Sequence, residues 1–425
     1  MITPVYFFSK IVDFILRHKR LFIFVVLVFF IVVGMSTLCR GGIGPPPRRT
    51  DLTVFLRGAE AILSGEDIYA VTNARGWHYV YMPLLAILLA PFARLPLLAN
   101  TSLWYLLSVA AICWTVILSV RLAEDRRTGM RAAMLALIFC IPSLVETLTR
   151  GQVGALNVFF AIAILYLYAR GWAVWAGVLF AFAVVLKPSP TAFIFLFFLV
   201  KREWKACAAA VLGVIFFVLA FPSLVIGADR NWLFLTEWNK ILSYAVSSGA
   251  GEESRLWNQL ATPIAWDNQS LYAVFTRWAC PTESALIACG DFWQRWGVRV
   301  FGVAALSILA FVCGRKKPRT SGKRLILEYS LFLILMLLVS PVSEIHHFTV
   351  FFLLFFAVFL YLDELPRNSA AYQWLGWGVF IAALTQIFGY IEPLNLWGLP
   401  ALGALLIWCA SFVFLSRQPG LKLKT

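Results

Sequence analysis

Apolar residues in this 425-residue chain gather into long runs instead of the one-faced stripes of a surface helix. A helix crosses a bilayer with about 20 mostly apolar residues. Ten runs meet or approach that length: 21–38, 102–120, 132–149, 153–169, 206–226, 296–314, 325–342, 348–362, 372–390 and 397–416. Two shorter runs, 172–186 and 191–200, are split by Lys187-Pro188-Ser189-Pro190. A further run, 83–95, lies between Pro83 and Pro96 and is interrupted by Pro91 and Arg94. The pattern predicts an all-α polytopic membrane protein forming a single integral membrane domain.

Two connections are long, 39–101 and 227–295. In the first, Leu52, Phe55, Leu56, Ala59, Ile62 and Leu63 recur at helical spacing, with Arg57, Glu60 and Ser64 opposite and Gly65 as a stop. This predicts an amphipathic helix lying at the membrane surface, with Asp51 at its N-terminus. Asp serves well as an N-cap. A capped and oriented carboxylate is also well placed to act as a base, since its ordinary pKa of about 3.9 leaves it ionised at neutral pH.

Composition agrees with the runs. Hydrophobic residues make up 61% and charged residues 13%, against about 25% charged in soluble domains. Charge then sets the topology through the excess of Lys and Arg in cytoplasmic loops. Arg17, Lys19 and Arg20 place the N-terminus inside. The cluster Arg121, Arg126, Arg127 and Arg131 is also inside if 83–95 is a juxtamembrane or re-entrant helix. Arg170 and Lys201 face the cytoplasm if 172–186 and 191–200 go out and back. About twelve spans with both termini cytoplasmic result. Cytoplasmic segments then hold 22 Lys and Arg against 7 Asp and Glu, and external segments 14 against 14. The net charge of +15 is thus a topology signal, and nucleic acid is not an expected partner. The first span lacks a small-residue cleavage site and reads as an uncleaved anchor. Cys280 and Cys289 share an external loop and can pair in an oxidising compartment. Asn100 and Asn268 open Asn-x-Ser/Thr triplets, which are common by chance.

Polar groups at the ends of spans are functional candidates. Glu146, Arg150, Gln152, Lys187, Glu344, His346 and His347 all map to the outer ends of predicted spans. Each also has a plain structural role: Arg150 and Lys187 as snorkelling cations, Glu146 as their partner, the histidines as interfacial residues. Adjacent histidines on a helix point about 100° apart, so one of the pair is expected to face a cavity. No metal-binding, P-loop or dinucleotide motif is present, and no metal or cofactor is expected.

Several segments, in order, carry a family resemblance: "DLTVFLRGAEAILSGEDIYA" from Asp51, "YVYMPLLAILLAPFARLP" at 79–96, "RGQVGALN" at 150–157, "AGVLFAFAVVLKPSP" at 176–190, "NQSL" at 268–271 and "SPVSEIHHFTVFF" at 340–352. The chain resembles the GT-C glycosyltransferases, specifically the family 87 enzymes that use polyprenyl-phosphate sugars and include mannosyltransferases. The resemblance implies the GT-C fold, with a conserved module at 1–226, an external loop at 227–295 and variable spans at 296–425. It implies an inverting transferase at the external face of the cell membrane, working on a polyprenyl-phosphate-linked sugar and a glycan or glycolipid acceptor, with Asp51 as general base. Chemistry then ranks the other candidates. Lys187, His346, His347 and Arg150 would face the leaving phosphate. Gln152, Asn268 and Gln269 would hydrogen-bond sugar hydroxyls, and Tyr79 and Tyr81 would line the acceptor entrance. A monomer is expected.

The alternative from another class is a secondary transporter or lipid flippase of about twelve spans. Such proteins favour midplane charges and related halves, whereas here the polar groups gather at the outer ends and the halves show no clear repeat.

Overall fold

The computed structural model describes residues 4–43, 50–246, 265–280, 282, 292–314 and 322–417. Among these the architecture is a multi-pass bundle of helices, and the one β feature is an isolated bridge between Thr72 and His78. Six helices are long and apolar enough to span a bilayer: Phe24–Ile43, Leu97–Leu122, Trp204–Ile226, Trp293–Gly314, Ile345–Glu364 and Leu399–Arg417. Shorter apolar helices, including Gly154–Ala169 and Ala173–Leu186, pack among them. The twelve-span expectation requires these shorter helices to cross as well.

The centre is the Ile345–Glu364 element, which is buried along its apolar length. It packs against Lys323–Val339, where Tyr329 and Phe332 meet Phe197 edge to face. Small residues let helices approach closely, as hydrocarbon offers no hydrophobic drive between them. A Cβ placed on Gly177 would lie 2.3 Å from the Ala206 carbonyl oxygen, so Ala173–Leu186 and Trp204–Ile215 meet backbone to backbone.

The expected span 132–149 is not one straight helix. Arg126–Phe139 and Ile141–Arg150 meet at Cys140 with a bend of 65°. Pro142 has no N–H to continue the ladder of the preceding turn. The bend brings Arg150 toward Asp51 and Asp267 of the two long connections.

In the first long connection the predicted amphipathic helix is present as Asp51–Ser64, ended by Gly65 at φ +83. Leu63, expected on its buried face, points outward, while Val54 and Ala61 are buried. Both flanks are covered because the segment Pro83–Leu89 packs on this helix. Tyr79 also presses on Gly58, where a Cβ would stand 2.6 Å from its ring. With the turn Ala90–Phe92, Pro83–Leu89 reaches about 15 Å, half the hydrocarbon thickness of about 30 Å. Alone it is too short to cross.

The second long connection contains Ala228–Val246 and Leu271–Ala279. Cys280 is disulfide-bonded; its expected partner Cys289 lies outside the described residues. At the other end of the bundle Lys201 is fully buried. Its Nζ donates to Glu328 Oε2 at 2.5 Å and to the Cys313 carbonyl at 3.1 Å, and Arg324 donates to Glu328 Oε1 at 2.8 Å.

Candidate active site

Asp51 is the first residue of its helix and not the cap. Thr50, extended at φ −130 and ψ 143, holds the N-cap position, and no side chain caps the helix. The carboxylate is therefore free of a capping role, and its Oδ2 is buried without a hydrogen-bond partner. Burial pushes the Asp51 pKa up to about 6, against the pull of Arg150, Lys187 and a hydrogen bond from Gln152, with Glu344 pushing the same way as burial.

The segment 150–157 explains itself by sterics. Gly151 ends its helix at φ +67, and a Cβ there would sit 2.9 Å from Leu52 Cβ, beside Asp51. Gly154 faces Thr147 and the His346 carbonyl, the latter 2.9 Å from where its Cβ would be. These two glycines let three segments converge. Gln152, between them, accepts from Lys187 Nζ at 3.3 Å through its Oε1. Its amide group is thus turned toward Asp51 and Tyr81.

Lys187 interrupts two apolar helices in an extended conformation, φ −155 and ψ 106. The following proline supplies no N–H and disfavours helix at the residue before it. Its buried ammonium lies 3.2 Å from His346 Nε2 and 5.8 Å over the ring of Tyr81. Burial lowers its pKa to about 8, while Glu344 and Asp51 hold it up. Arg150 differs: Glu146 at 2.5 Å and Glu344 at 2.9 Å already balance it. Lys187 makes no ion pair among the described residues, so it is available to an incoming anion; Arg75, stacked over Trp77, lines the same cavity.

The expectation that one histidine of the pair faces the cavity does not hold. Both line it, with ring centroids 4.2 Å apart. The pair lies in the 3-10 turn Ile345–Val350, which follows the non-helical stretch 340–344. His347 Nδ1 accepts the Glu344 backbone N–H at 3.0 Å. A neutral ring then carries its proton on Nε2, and that atom is buried without a partner.

Asp51, Tyr81, Arg150, Gln152, Lys187, His346 and His347 together line one cavity of about 560 Å³. Three other candidates stand outside its lining. The Tyr79 hydroxyl donates to the Met82 carbonyl at 2.7 Å and accepts from the Ala86 N–H at 3.1 Å. Asn268 accepts the N–H groups of Ser270 and Ser343 and donates to the Pro341 carbonyl. Gln269 donates to the Trp266 and Asn395 carbonyls. These side chains hold loops around the cavity in place. The cavity also takes Trp77, His78, Trp238 and Asp267, which the sequence reading did not single out. Asp267 immediately precedes the "NQSL" segment, and that adjacency was the available signal. Burial and Glu344 push the Asp267 pKa up to about 6, against Arg150 and Arg277. Among the described residues no group of three or more His, Cys, Asp or Glu is arranged to hold a metal ion.

A buried carboxylate facing a lysine and two imidazoles, at the end of a membrane bundle, is a constellation suited to moving a group off a phosphate. The model of glycosyltransferase family 87 matches residues 79–341. The chain belongs to glycosyltransferase family 87. Within the matched span of this family 87 member lie Tyr81, Arg150, Gln152, Lys187 and Asp267; Asp51 and the histidine pair flank it. A polyprenol-phosphate-mannose-dependent alpha-(1-2)-phosphatidylinositol mannoside mannosyltransferase of Mycolicibacterium smegmatis is 29% identical over 43% of this chain. The match spans 47% of that enzyme, under half its length. The corresponding pentamannoside mannosyltransferase of Mycobacterium tuberculosis (CDC 1551) is 26% identical over 82% of this chain and 74% of its own length. Among solved structures, ArnT from Cupriavidus metallidurans bound to undecaprenyl phosphate is 15% identical with a TM-score of 0.42. It covers 93% of this chain and 77% of its own.

Proposed function

We propose that this protein is an inverting glycosyltransferase that moves one sugar, mannose or a related hexose or pentose, from a polyprenyl phosphate to an acceptor hydroxyl of a lipid glycan or polysaccharide. The active site faces the exterior of the cell membrane, and both termini are cytoplasmic. The observation that carries the reading is the single cavity lined by Asp51 together with Lys187, His346 and His347.

In the proposed step the acceptor oxygen attacks the anomeric carbon as the bond from that carbon to the phosphate oxygen breaks. Asp51 takes the acceptor proton, which requires it to come within about 2.6–3.2 Å of the hydroxyl. The leaving phosphate gains charge, and Lys187 with the free Nε2–H of His347 stabilises it. Arg150, neutralised by Glu146 and Glu344, positions these groups and does not bind the phosphate directly. Gln152 ties the base to the lysine. The donor's isoprenoid tail stays in lipid, so a cavity at the membrane edge lets the head group react without extracting the tail. Holding donor and acceptor in line supplies a large share of the acceleration. The mannosyl donors named for the mycobacterial relatives support mannose as the first donor to try.

The test is transfer by purified protein in nanodiscs, given a panel of radiolabelled polyprenyl-phosphate sugars and a total lipid extract as acceptor. Labelled product from one donor, lost in Asp51→Asn, is expected. No product from any donor, in folded protein that binds none of them, would overturn the reading in favour of a transporter or flippase.

A further inference from the structure

The end of the bundle remote from Asp51 carries a second, unassigned site. The helix Lys19–Leu38 connects the two ends. Beyond its C-terminus Gly41 lies against Thr50 and Thr101 near the cavity, and its N-terminus is about 30 Å away at 1.5 Å per residue. There an open polar pocket of about 670 Å³ is lined by Asp13, Arg17, Arg127, Thr128, Arg131 and Asp363, with Met130 at its inner edge.

The acidic groups of this pocket are occupied. Arg131 lies 2.8 Å from Asp363 and 3.8 Å from Asp13, and Thr128 donates to Asp363 at 3.2 Å. The remaining charges are cationic and exposed: Arg17, at the end of its helix, and Arg127, whose neighbouring carboxylate is Asp125. Met130 also lines a groove of about 420 Å³ that is almost wholly apolar, walled by Val25, Phe29, Cys113, Val116, Met134 and Leu137. That groove lies between helices Lys19–Leu38, Leu97–Leu122 and Arg126–Phe139. Polar pocket and apolar groove thus meet at one residue, in the order headgroup level, then hydrocarbon.

We propose that this is a binding site for an anionic phospholipid of the leaflet opposite the candidate active site. The headgroup phosphate rests on Arg17 and Arg127, and one acyl chain fills the groove. Charge complementarity selects the anionic headgroup, because basic pockets between helices at the cytoplasmic surface attract such lipids. Arg131 answers both Asp13 and Asp363, so with Arg17 and Arg127 the three arginines outnumber the two carboxylates of the pocket by one and leave it a single net positive charge.

The experiment is native mass spectrometry of the purified full-length protein, titrated with dioleoylphosphatidylglycerol and with dioleoylphosphatidylcholine. Retention of the anionic lipid at least about tenfold over the zwitterionic one is expected. Arg17→Gln and Arg127→Gln should each weaken it about fivefold, and Leu137→Trp, which fills the groove, should weaken both lipids. Melting curves show that each variant is folded. Equal retention of the two lipids by the wild-type protein would overturn the proposal whatever the variants do, as would undiminished binding in both arginine variants. Displacement by inorganic phosphate, with Leu137→Trp unaffected, would also overturn it by marking the pocket as a free-anion site.

Discussion

Lys187 Nζ lies 3.2 Å from His346 Nε2, and this pairing sets the roles of both. An ammonium donates only, so the ring nitrogen accepts and the ring proton sits on Nδ1, 3.5 Å from Glu344 Oε2. With a second N–H given to Gln152 Oε1, the lysine keeps one N–H for a phosphate. Lys187→Gln, which retains a polar head without charge, should lower kcat/KM for the donor by roughly 10²–10³, the scale seen on removing one preorganised electrostatic group. Steady-state kinetics with varied donor checks this. A loss below fivefold would take Lys187 out of phosphate stabilisation.

The two cavity groups with displaced pKa values predict a bell-shaped pH profile of kcat/KM. Asp51, raised to about 6, is protonated and ineffective as a base below that pH. Lys187, lowered to about 8, loses its charge above it. Arg150, Glu344 and Asp267 face the same cavity, and because such groups titrate together the limbs belong to the constellation. The optimum should fall between about 6 and 8, with Lys187→Gln flattening the alkaline limb and moving the acid limb toward higher pH, since it removes a cation that holds the Asp51 pKa down. A profile flat from pH 5 to 7 would contradict the role of Asp51.

Asp51 should also cost stability. Its pKa is higher in the folded chain than its ordinary value of 3.8, so its contribution is most favourable below pH 4 and is lost as pH rises through 6. Asp51→Asn removes this cost, at most about 3 kcal/mol for a shift of about two units. The variant should therefore melt no lower than wild type at pH 7, with the gap narrowing toward pH 4. Melting scans across pH 4–8 in detergent check it. A variant less stable at pH 7 would mean that the carboxylate makes a bond that the amide cannot.

The Asp51 helix and the short proline-bracketed segment were legible because local signals mark them: a 3.6-residue period, a Gly stop and flanking prolines. The break at Cys140 was hidden, since Pro142 sits inside an apolar run and hydropathy does not register a bend. Gathering the polar span ends was legible from topology, and it brought Glu146, Arg150, Gln152, Lys187 and the histidines to one level. Aim was not. Asn268 and Gln269 have the composition of sugar ligands, yet their amides bond backbone around Pro341 and Asn395. Trp238 enters the cavity from the helix Ala228–Val246 and Asp267 from a loop without periodicity. Whether a polar side chain meets a ligand or a carbonyl depends on contacts far apart in the chain.

The glycines of 150–157 test how the cavity is held together. Gly154→Ala would drive a Cβ to 2.9 Å from the His346 carbonyl and 2.6 Å from Thr147 Oγ1. The first atom is backbone and cannot rotate away, so the histidine turn must shift. A displacement of about 1 Å can cost about 10² in rate. kcat/KM should fall by that order while the acid limb set by Asp51 stays in place. An active Gly154→Ala enzyme would show that the histidine turn moves independently of this contact.

The buried trio Lys201, Glu328 and Arg324 predicts a stability effect far from the cavity. Glu328 is fully buried and answers both cations. Glu328→Ala leaves the Lys201 ammonium buried with only the Cys313 carbonyl, and uncompensated buried charges of this kind cost about 3–5 kcal/mol. Glu328→Gln keeps hydrogen-bonding capacity but not charge and should cost less. Removing the cation as well, in Lys201→Met with Glu328→Gln, should recover much of the loss, because no bare buried ammonium remains. Melting temperatures of the three variants give the order directly. If Glu328→Ala is as stable as wild type, water reaches Lys201 and the pair is not a dry clamp between the helices Phe193–Val200, Phe292–Gly314 and Lys323–Val339.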